Sequence, residues 1–267
     1  MINNFSFKDN YTVDDLVEIM RILRAPGGCP WDREQTHQSI RMNFIEETYE
    51  AVDAIDRNDM PLLKEELGDV LMQVVFHSEM EREKGLFDFD AVADGVCKKL
   101  IERHPHVFSD LQVGGSSEVL KNWDSIKKKS KGQTSSETLK DVTKALPALM
   151  RSSKVQHRAA RAGFDFENYE GALQKLREET VELEAAAKEA NGERIEEELG
   201  DVLFSAVNTA RLLNVDAENA LTKSCNKFIA RFERVEKLAE ENGSSVEELS
   251  MEELDKLWEQ AKRDLSL

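Results

Sequence analysis

Cysteine is scarce in this sequence, and its three residues follow no pattern. Cys29, Cys97 and Cys225 are odd in number and lie far apart, outside any short motif. This usage excludes a disulfide framework and a cysteine-based zinc site, and it fits a reducing compartment. Long apolar runs are also missing: no stretch approaches the ~20 apolar residues of a membrane span, and the first ten residues do not resemble a secretory signal. We therefore expect a cytoplasmic protein that does not bind a membrane.

Proline and basic residues are the other shortages. Only five prolines occur in 267 residues, while 33% of the residues are charged and runs such as LEAAAKEA have high helix propensity. This composition predicts an all-α fold with almost no sheet. Acidic residues outnumber basic ones 53 to 36, which gives a net charge of −17 and excludes an exposed basic groove for DNA or RNA. An acidic protein can still bind phosphates through a metal ion.

The sequence contains an internal repeat. EELGDVL occurs at 65–71 and again at 197–203, EETYE at 46–50 corresponds to EETVE at 178–182, and in both copies the two blocks begin 19 residues apart. Further downstream, each copy has a Lys-x3-Arg pair and a Trp-x3-Lys pair. The paired residues are Lys99 and Arg103, Trp123 and Lys127, Lys227 and Arg231, and Trp258 and Lys262. The repeat predicts two tandem helical bundles, at 1–126 and 141–267, joined by a polar linker at 127–140.

Capping and breaking residues place several helices. Thr12 begins one in a capping-box pattern, and Asp59 begins another that continues to Gly85. Gly163 and Gly192 are predicted as helix stops in the second copy. The helices predicted there lie at about 168–190, 193–213 and 216–241, with a last one after Ser250. Cys225 is expected to be a small core residue of the third of these.

The repeated blocks carry acids at helical spacing. Positions three apart lie on one helix face, so each block pairs two carboxylates. The paired acids are Glu47 with Glu50 and Glu66 with Asp69 in the first copy, and Glu179 with Glu182 and Glu198 with Asp201 in the second. Two antiparallel helices would bring each set of four to one place, where the charges repel one another. A hard divalent cation relieves this repulsion, and Mg²⁺ completed by substrate phosphate oxygens suits the site best, with Mn²⁺ able to substitute.

A polar seam continues from the acids along an otherwise apolar helix. Gln73 and His77 follow Asp69 at intervals of four residues, and Ser205 and Thr209 occupy the corresponding positions of the second copy. These acids therefore border a core instead of facing solvent. The sequence has no Walker-type glycine loop, so we expect a metal ion and basic side chains to hold any phosphates.

The tandem EExxE and EExxD blocks, the N-terminal GGCPWDREQTH segment and HPHVF at 104–108 together resemble the MazG family of nucleoside triphosphate pyrophosphohydrolases, in its two-domain bacterial form. The resemblance covers nearly the whole chain. It implies an all-helical fold, a homodimer, Mg²⁺ dependence and hydrolysis of nucleoside triphosphates to the monophosphate and pyrophosphate. Broad specificity in clearing the nucleotide pool is the activity that we expect.

The resemblance also implies roles for individual residues. In the second copy the metal ligands would be Glu179, Glu182, Glu198 and Asp201, the substrate-binding residues Lys227, Arg231, Trp258 and Lys262, and the general base Glu178 or Glu179. In the first copy the matching residues are Glu47, Glu50, Glu66, Asp69, Lys99, Arg103, Trp123 and Lys127. In two-domain relatives the C-terminal copy is the active one and the N-terminal copy is structural or regulatory. We expect the same division here, although both halves keep every liganding acid.

Two other interpretations stay open at this point. A specialised pyrophosphatase for one dNTP or for a modified nucleotide would carry the same acids, because substrate choice depends on the pocket walls. A non-catalytic acidic helical scaffold would explain the composition but not the repeated spacing. Trp31 in the CPWD segment is either core packing or a platform for stacking on a base. We expect His37, His104 and His106 to be structural.

Overall fold

The computed structural model describes residues 5–115, 118, 119, 122, 123, 126, 132 and 134–265. These residues form helices and no strands, which confirms the predicted all-α fold. The chain divides into two compact units, 1–130 and 131–267. The division lies inside the segment predicted as a linker, and part of that segment, Ser135–Lys140, is helical.

Six helices of the first unit lie wholly within the described residues. They are α1 (Val13–Arg24), α2 (Pro30–Glu34), α3 (Arg41–Asp56), α4 (Met60–Glu83), α5 (Phe89–Arg103) and α6 (Pro105–Phe108). Thr12 caps α1 in a full capping box, and the Asp59 side chain accepts a hydrogen bond from the Leu62 backbone at the start of α4. Gly85 follows α4 at φ +71°, a conformation that favours glycine. The predicted helix boundaries of this unit are therefore confirmed.

The core of the first unit lies between α1 and the α3–α4 hairpin. Its buried apolar side chains are Met20, Ile40, Val75, Phe76 and Met80. Because α4 carries three of these five residues, it is the central helix of the unit. The hairpin turn at residues 57–59 folds α4 back along α3, and this places the EETYE block opposite the EELGD block.

The GGCPWD segment is a tightly built connection between α1 and α2. A Cβ atom on Gly28 would lie 2.3 Å from the carbonyl oxygens of both Ile22 and Leu23, so this turn requires glycine. The Arg24 guanidinium donates hydrogen bonds of 2.7 and 2.9 Å to the Glu83 carboxylate, and it also bonds a carbonyl oxygen of α2. The segment is thus tied to the end of α4.

The second unit contains six α-helices among its described residues. They are α7 (Ser135–Lys140), α8 (Ala148–Arg161), α9 (Tyr169–Glu189), α10 (Gly192–Leu212), α11 (Ala217–Glu241) and α12 (Met251–Asp264), with a short 3₁₀ helix at Val246–Glu248. The helices α9 and α10 form the second hairpin. A small core of Val235, Leu238 and Ala261 joins α11 to α12.

The structure corrects two sequence expectations and removes one of the two interpretations of Trp31. The helix α9 ends with Ala190 at φ +53°, and Gly192 begins the next helix instead of stopping this one. Cys225 is exposed, as are all residues of α11 from 219 to 230. Trp31 is 57% exposed and therefore is not core packing.

No helix formed by the described residues is long and apolar enough to cross a membrane.

Candidate functional site

The second hairpin brings three predicted acids together. Glu179 lies on α9, and Glu198 and Asp201 lie one turn apart on α10. One carboxylate oxygen from each lies within 4.8 Å of the other two. Glu179 is buried, Glu198 half-buried and Asp201 exposed, so the cluster opens towards solvent on the α10 side.

The first hairpin builds the same arrangement. Oxygens of Glu47 on α3 and of Glu66 and Asp69 on α4 also lie within 4.8 Å of one another. The two hairpins therefore reproduce the convergence that the repeated 19-residue spacing predicts.

The fourth predicted acid of each set lies at the edge of its cluster. Burial raises the pKa of Glu47, and the charges of Asp69 and Glu50 raise it further. The pKa of Glu66 is also raised, first by burial and then by the charges of Glu50 and Asp69. In the second copy, the neighbouring Glu179 charge is the main cause of a raised pKa at Glu182, with burial second. Glu50 and Glu182 therefore add negative charge to each cluster without belonging to the closest set of three oxygens.

The chemistry of both clusters fits a hard divalent cation. Each offers only oxygen atoms, which Mg²⁺ and Mn²⁺ prefer over nitrogen or sulfur. The first cluster has a further oxygen nearby, because the Gln73 side chain is hydrogen-bonded to Glu47. Gln73 is 5% exposed, and its Oε1 atom is buried without a hydrogen-bond partner among the described residues. A buried, unpaired amide oxygen beside converging carboxylates is accounted for if a cation binds there.

The two clusters differ in the basic residues that contact them. In the second copy, Lys175 Nζ lies 2.6 Å from a Glu179 oxygen, and an Arg194 nitrogen lies 3.6 Å from a Glu198 oxygen. Arg194 also pairs with Glu189 at 2.5 Å. Among the described residues, no Lys or Arg nitrogen lies within 4 Å of the four first-copy carboxylates. Sequence analysis missed Lys175 and Arg194, although each stands four residues before an acid on the same helix, the spacing at which such pairs form.

The predicted substrate-binding residues of the second copy lie on a different helix pair, α11 and α12. The Trp258 ring packs 5.1 Å from the Phe228 ring, and Lys262 pairs with Glu259 at 2.6 Å. Arg231 is close enough to contribute to the lowered pKa of Glu259, of which Lys262 is the main cause. Lys227 is exposed on α11. The acids lie on α9 and α10, so the basic and acidic residues belong to neighbouring helix pairs of one unit.

The corresponding residues of the first copy are only partly described. Lys99 and Arg103 lie on α5, and the Arg103 guanidinium lies 5.7 Å from the centre of the Trp123 ring. His104 packs edge-on against the same ring at 4.9 Å. Lys127 lies outside the described residues.

The two candidate bases occupy different environments. Glu178 is exposed and contacts Gln174 at 3.3 Å and Lys175 at 3.9 Å, outside the acidic cluster. Glu179 lies inside the cluster.

The polar seam of the first copy ends in a histidine pair. His37 Nδ1 lies 2.7 Å from His77 Nδ1, and His37 Nε2 lies 2.5 Å from a Glu81 oxygen. Burial lowers the pKa of His77, and the His37 charge lowers it further. In the second copy the Thr209 hydroxyl instead donates to the Ser205 carbonyl of its own helix. Among the described residues, a hydrogen bond from the end of the seam to another segment of the chain is therefore seen in the first copy and not from Thr209 in the second.

Comparison with known proteins identifies related sequences along most of the chain. The family model described as MazG nucleotide pyrophosphohydrolase domain matches residues 35–108 and 167–236. Each match contains one complete acidic cluster, so the repeat is a duplication of this domain.

Individual relatives cover nearly the whole chain. The nucleoside triphosphate pyrophosphohydrolase/pyrophosphatase MazG of Thermotoga maritima is 47% identical over 250 residues, which are 93% of this chain and 95% of that protein. The nucleoside triphosphate pyrophosphohydrolase of Escherichia coli is 43% identical over 255 residues, 94% of this chain and 97% of that protein. A protein of the same name from Mycobacterium tuberculosis is 32% identical over 251 residues, 92% of this chain and 66% of that protein.

Proposed function

The chain belongs to the MazG nucleotide pyrophosphohydrolase family, and we propose that it hydrolyses nucleoside triphosphates to nucleoside monophosphates and pyrophosphate. The observation that carries the proposal is the convergence of Glu179, Glu198 and Asp201 from two adjacent helices. Three carboxylate oxygens this close repel one another, and a bound divalent cation would relieve that repulsion, which favours an enzyme site over an acidic scaffold with solvated Glu blocks.

We propose Mg²⁺ as the resident cation, with Mn²⁺ able to replace it. Glu179, Glu198 and Asp201 would hold it, and Glu182 would add charge from the edge of the site. Once bound, the cation supplies positive charge to the triphosphate and favours attack of water on the α-phosphorus.

The other residues of the second copy act on the substrate itself. Glu178 or Glu179 accepts the proton of the attacking water. Of these two, Glu179 belongs to the closest set of three acids and Glu178 does not. Lys227, Arg231 and Lys262 bind the phosphates and offset the charge that develops on the leaving pyrophosphate. Trp258, packed on Phe228, presents an aromatic surface for the base. These assignments follow the family motif at each position.

The charge balance supports the second copy as the main catalytic site. Four carboxylates with one divalent cation leave a formal charge of about −2 in the first copy, where no basic residue contacts the described acids. In the second copy, Lys175 and Arg194 contact Glu179 and Glu198 and reduce that remainder. A triphosphate carries several negative charges, so it is repelled less by the second copy. The first copy then serves a structural or regulatory role.

We also propose that the protein is a homodimer. Large apolar side chains are exposed on the hairpin helices and on α11, and exposed apolar surface of this kind can mark a protein–protein interface. Those of the second unit are Val181, Leu199, Leu203, Phe204, Leu221, Phe228 and Ile229, each between 41% and 63% exposed. The first hairpin exposes a similar set, Tyr49, Val52, Ile55 and Leu67. A second copy of the chain would cover these exposed apolar side chains in a two-fold symmetric assembly.

Pyrophosphate release over a panel of ribo-, deoxyribo- and modified nucleoside triphosphates tests the activity and its breadth. We expect turnover of many bases with Mg²⁺ and none with EDTA, as in a protein that clears the nucleotide pool. Turnover of a single nucleotide would contradict broad specificity. No turnover of any triphosphate would contradict the enzymatic proposal itself.

A further inference from the structure

The two acidic clusters have the same carboxylates, but they differ at two positions, each four residues before a clustered glutamate on the same helix. A shift of 132 residues relates the copies, as in the two EELGDVL blocks at 65–71 and 197–203. Under this shift, Lys175 corresponds to Asn43 and Arg194 to Leu62. Both second-copy residues contact an acid of their cluster, whereas Asn43 and Leu62 carry no charge.

A cation that enters the second cluster meets competition from these side chains. Glu179 is 7% exposed at its side chain and is paired with Lys175, so the ammonium group occupies an oxygen that the cation needs. Arg194 holds Glu198 in the same way at a longer distance. An anionic ligand would give both cationic groups an alternative partner and would free the carboxylates.

The first cluster has the opposite character. Its carboxylates have no basic partner among the described residues, and each bears the repulsion of the others. The polar seam of the first copy has Gln73 at the position where the second copy has Ser205. The Oε1 atom of Gln73 is buried and has no hydrogen-bond partner among the described residues. A cation would therefore gain carboxylates that are free, together with a nearby neutral oxygen of the kind that hard cations accept.

We propose that the first copy is a nucleotide-independent divalent-cation site, whereas the second copy binds its cation only together with a polyphosphate. The first site then holds its metal permanently and braces the α3–α4 hairpin, and the second is loaded with each substrate. This inference rests on the proposed metal dependence of the second copy. It assigns most of the difference between the copies to residues 43, 62, 175 and 194, and the remainder to Gln73 in place of Ser205.

Mn²⁺ binding to the full-length chain, stripped with EDTA, tests the inference without turnover. Free Mn²⁺ is followed by electron paramagnetic resonance, with and without an α,β-methylene nucleoside triphosphate, and a protein-free titration corrects for Mn²⁺ bound by the analogue. Without the analogue we expect one Mn²⁺ per chain, lost in Asp69→Asn and kept in Asp201→Asn. With the analogue a second Mn²⁺ should bind, and Asp201→Asn should abolish it. Two equivalent sites without the analogue, or loss of the nucleotide-free site in Asp201→Asn, would overturn the proposal.

Exchanging the neighbouring residues gives a matched pair of tests. In the Asp69→Asn background, Lys175→Asn with Arg194→Leu should tighten nucleotide-free Mn²⁺ binding to the second copy by about tenfold or more, or about 1.4 kcal/mol. In the Asp201→Asn background, Asn43→Lys with Leu62→Arg should weaken binding to the first copy by a similar factor. Because Leu62 is half-buried, Asn43→Lys alone serves if the double variant does not fold. Shifts below about twofold in both directions would refute the inference.

The two proposals fail in distinguishable ways. Pyrophosphate release by the unmodified protein decides the proposed activity. The Mn²⁺ titrations without nucleotide decide whether the copies differ in the way inferred, since they involve no catalysis.

Discussion

Replacement of Asp201 by Asn separates the role of the second acidic cluster from the stability of the fold. The substitution keeps the size of the side chain and removes one of the three charges whose oxygens lie within 4.8 Å of one another. Asp201 is exposed, so its replacement should change the free energy of unfolding by no more than about 0.5 kcal/mol. The effect on catalysis should be much larger.

The expected loss follows from the charge that the site must hold. A preorganised electrostatic contact to the reacting groups contributes about 2.7–4 kcal/mol, which corresponds to a factor of about 10²–10³ in rate. We therefore expect kcat/KM for Asp201→Asn to fall at least about 100-fold. Asp69→Asn is the matched control, because it makes the same change at the same place in the first copy. It should keep most of the activity.

The assay is pyrophosphate release at several Mg²⁺ concentrations, with thermal unfolding measured on the same samples. An Asp201→Asn protein that turns over at the rate of the unmodified protein would show that the second cluster is not the active site. Equal losses in Asp201→Asn and Asp69→Asn would show instead that both copies are needed, and the assignment of catalysis to one copy would be wrong.

Three further predictions concern stability. Gly200→Ala should stabilise the protein by about 0.5–1 kcal/mol in urea unfolding, because the site is in mid-helix and no described atom lies within 4 Å of the added Cβ; a loss of stability would mean that another chain packs there. Asp165→Asn should cost about 1.5–3 kcal/mol, since the Arg211 side chain is 7% exposed and donates two hydrogen bonds to that carboxylate; an unchanged urea midpoint would contradict this. The lowered pKa of His77 means that the unfolded chain binds its proton more readily, so stability should fall as the pH drops below about 6.5. His77→Gln should flatten that dependence, and an identical pH profile would contradict the assignment.

Much of the fold could be predicted because its signals are local. Thr12 and Asp59 cap their helices through their own side chains, and both acidic clusters follow from spacing within a helix and from the repeat. Features that depend on more distant parts of the molecule were not predictable. Cys225 lies on a helix with apolar residues on several sides, yet it is exposed together with the neighbouring residues 219–230 of α11. The histidine pair joins residues 40 positions apart, which no local pattern indicates.

The basic residues beside the second cluster were missed for another reason. Lys and Arg four residues before a Glu are common on acidic helices, where such pairs usually add only about 0.3–0.5 kcal/mol to helix stability. The pattern therefore indicates a solvated face in most proteins. It acquires a different meaning here only because Glu179 and Glu198 also belong to a cluster of converging acids.

This difference in magnitude makes residues 175 and 194 informative positions. Losing both pairs should cost the fold about 1 kcal/mol or less, since the Lys175 and Arg194 side chains are 42% and 41% exposed. The same two charges lie beside the proposed cation site, where each would be repelled by the two positive charges of a bound divalent cation. Their removal should thus change cation affinity by more than it changes the stability of the chain. The two copies can then differ in when they bind metal while sharing every carboxylate ligand, and the difference can be exchanged between them without unfolding either hairpin.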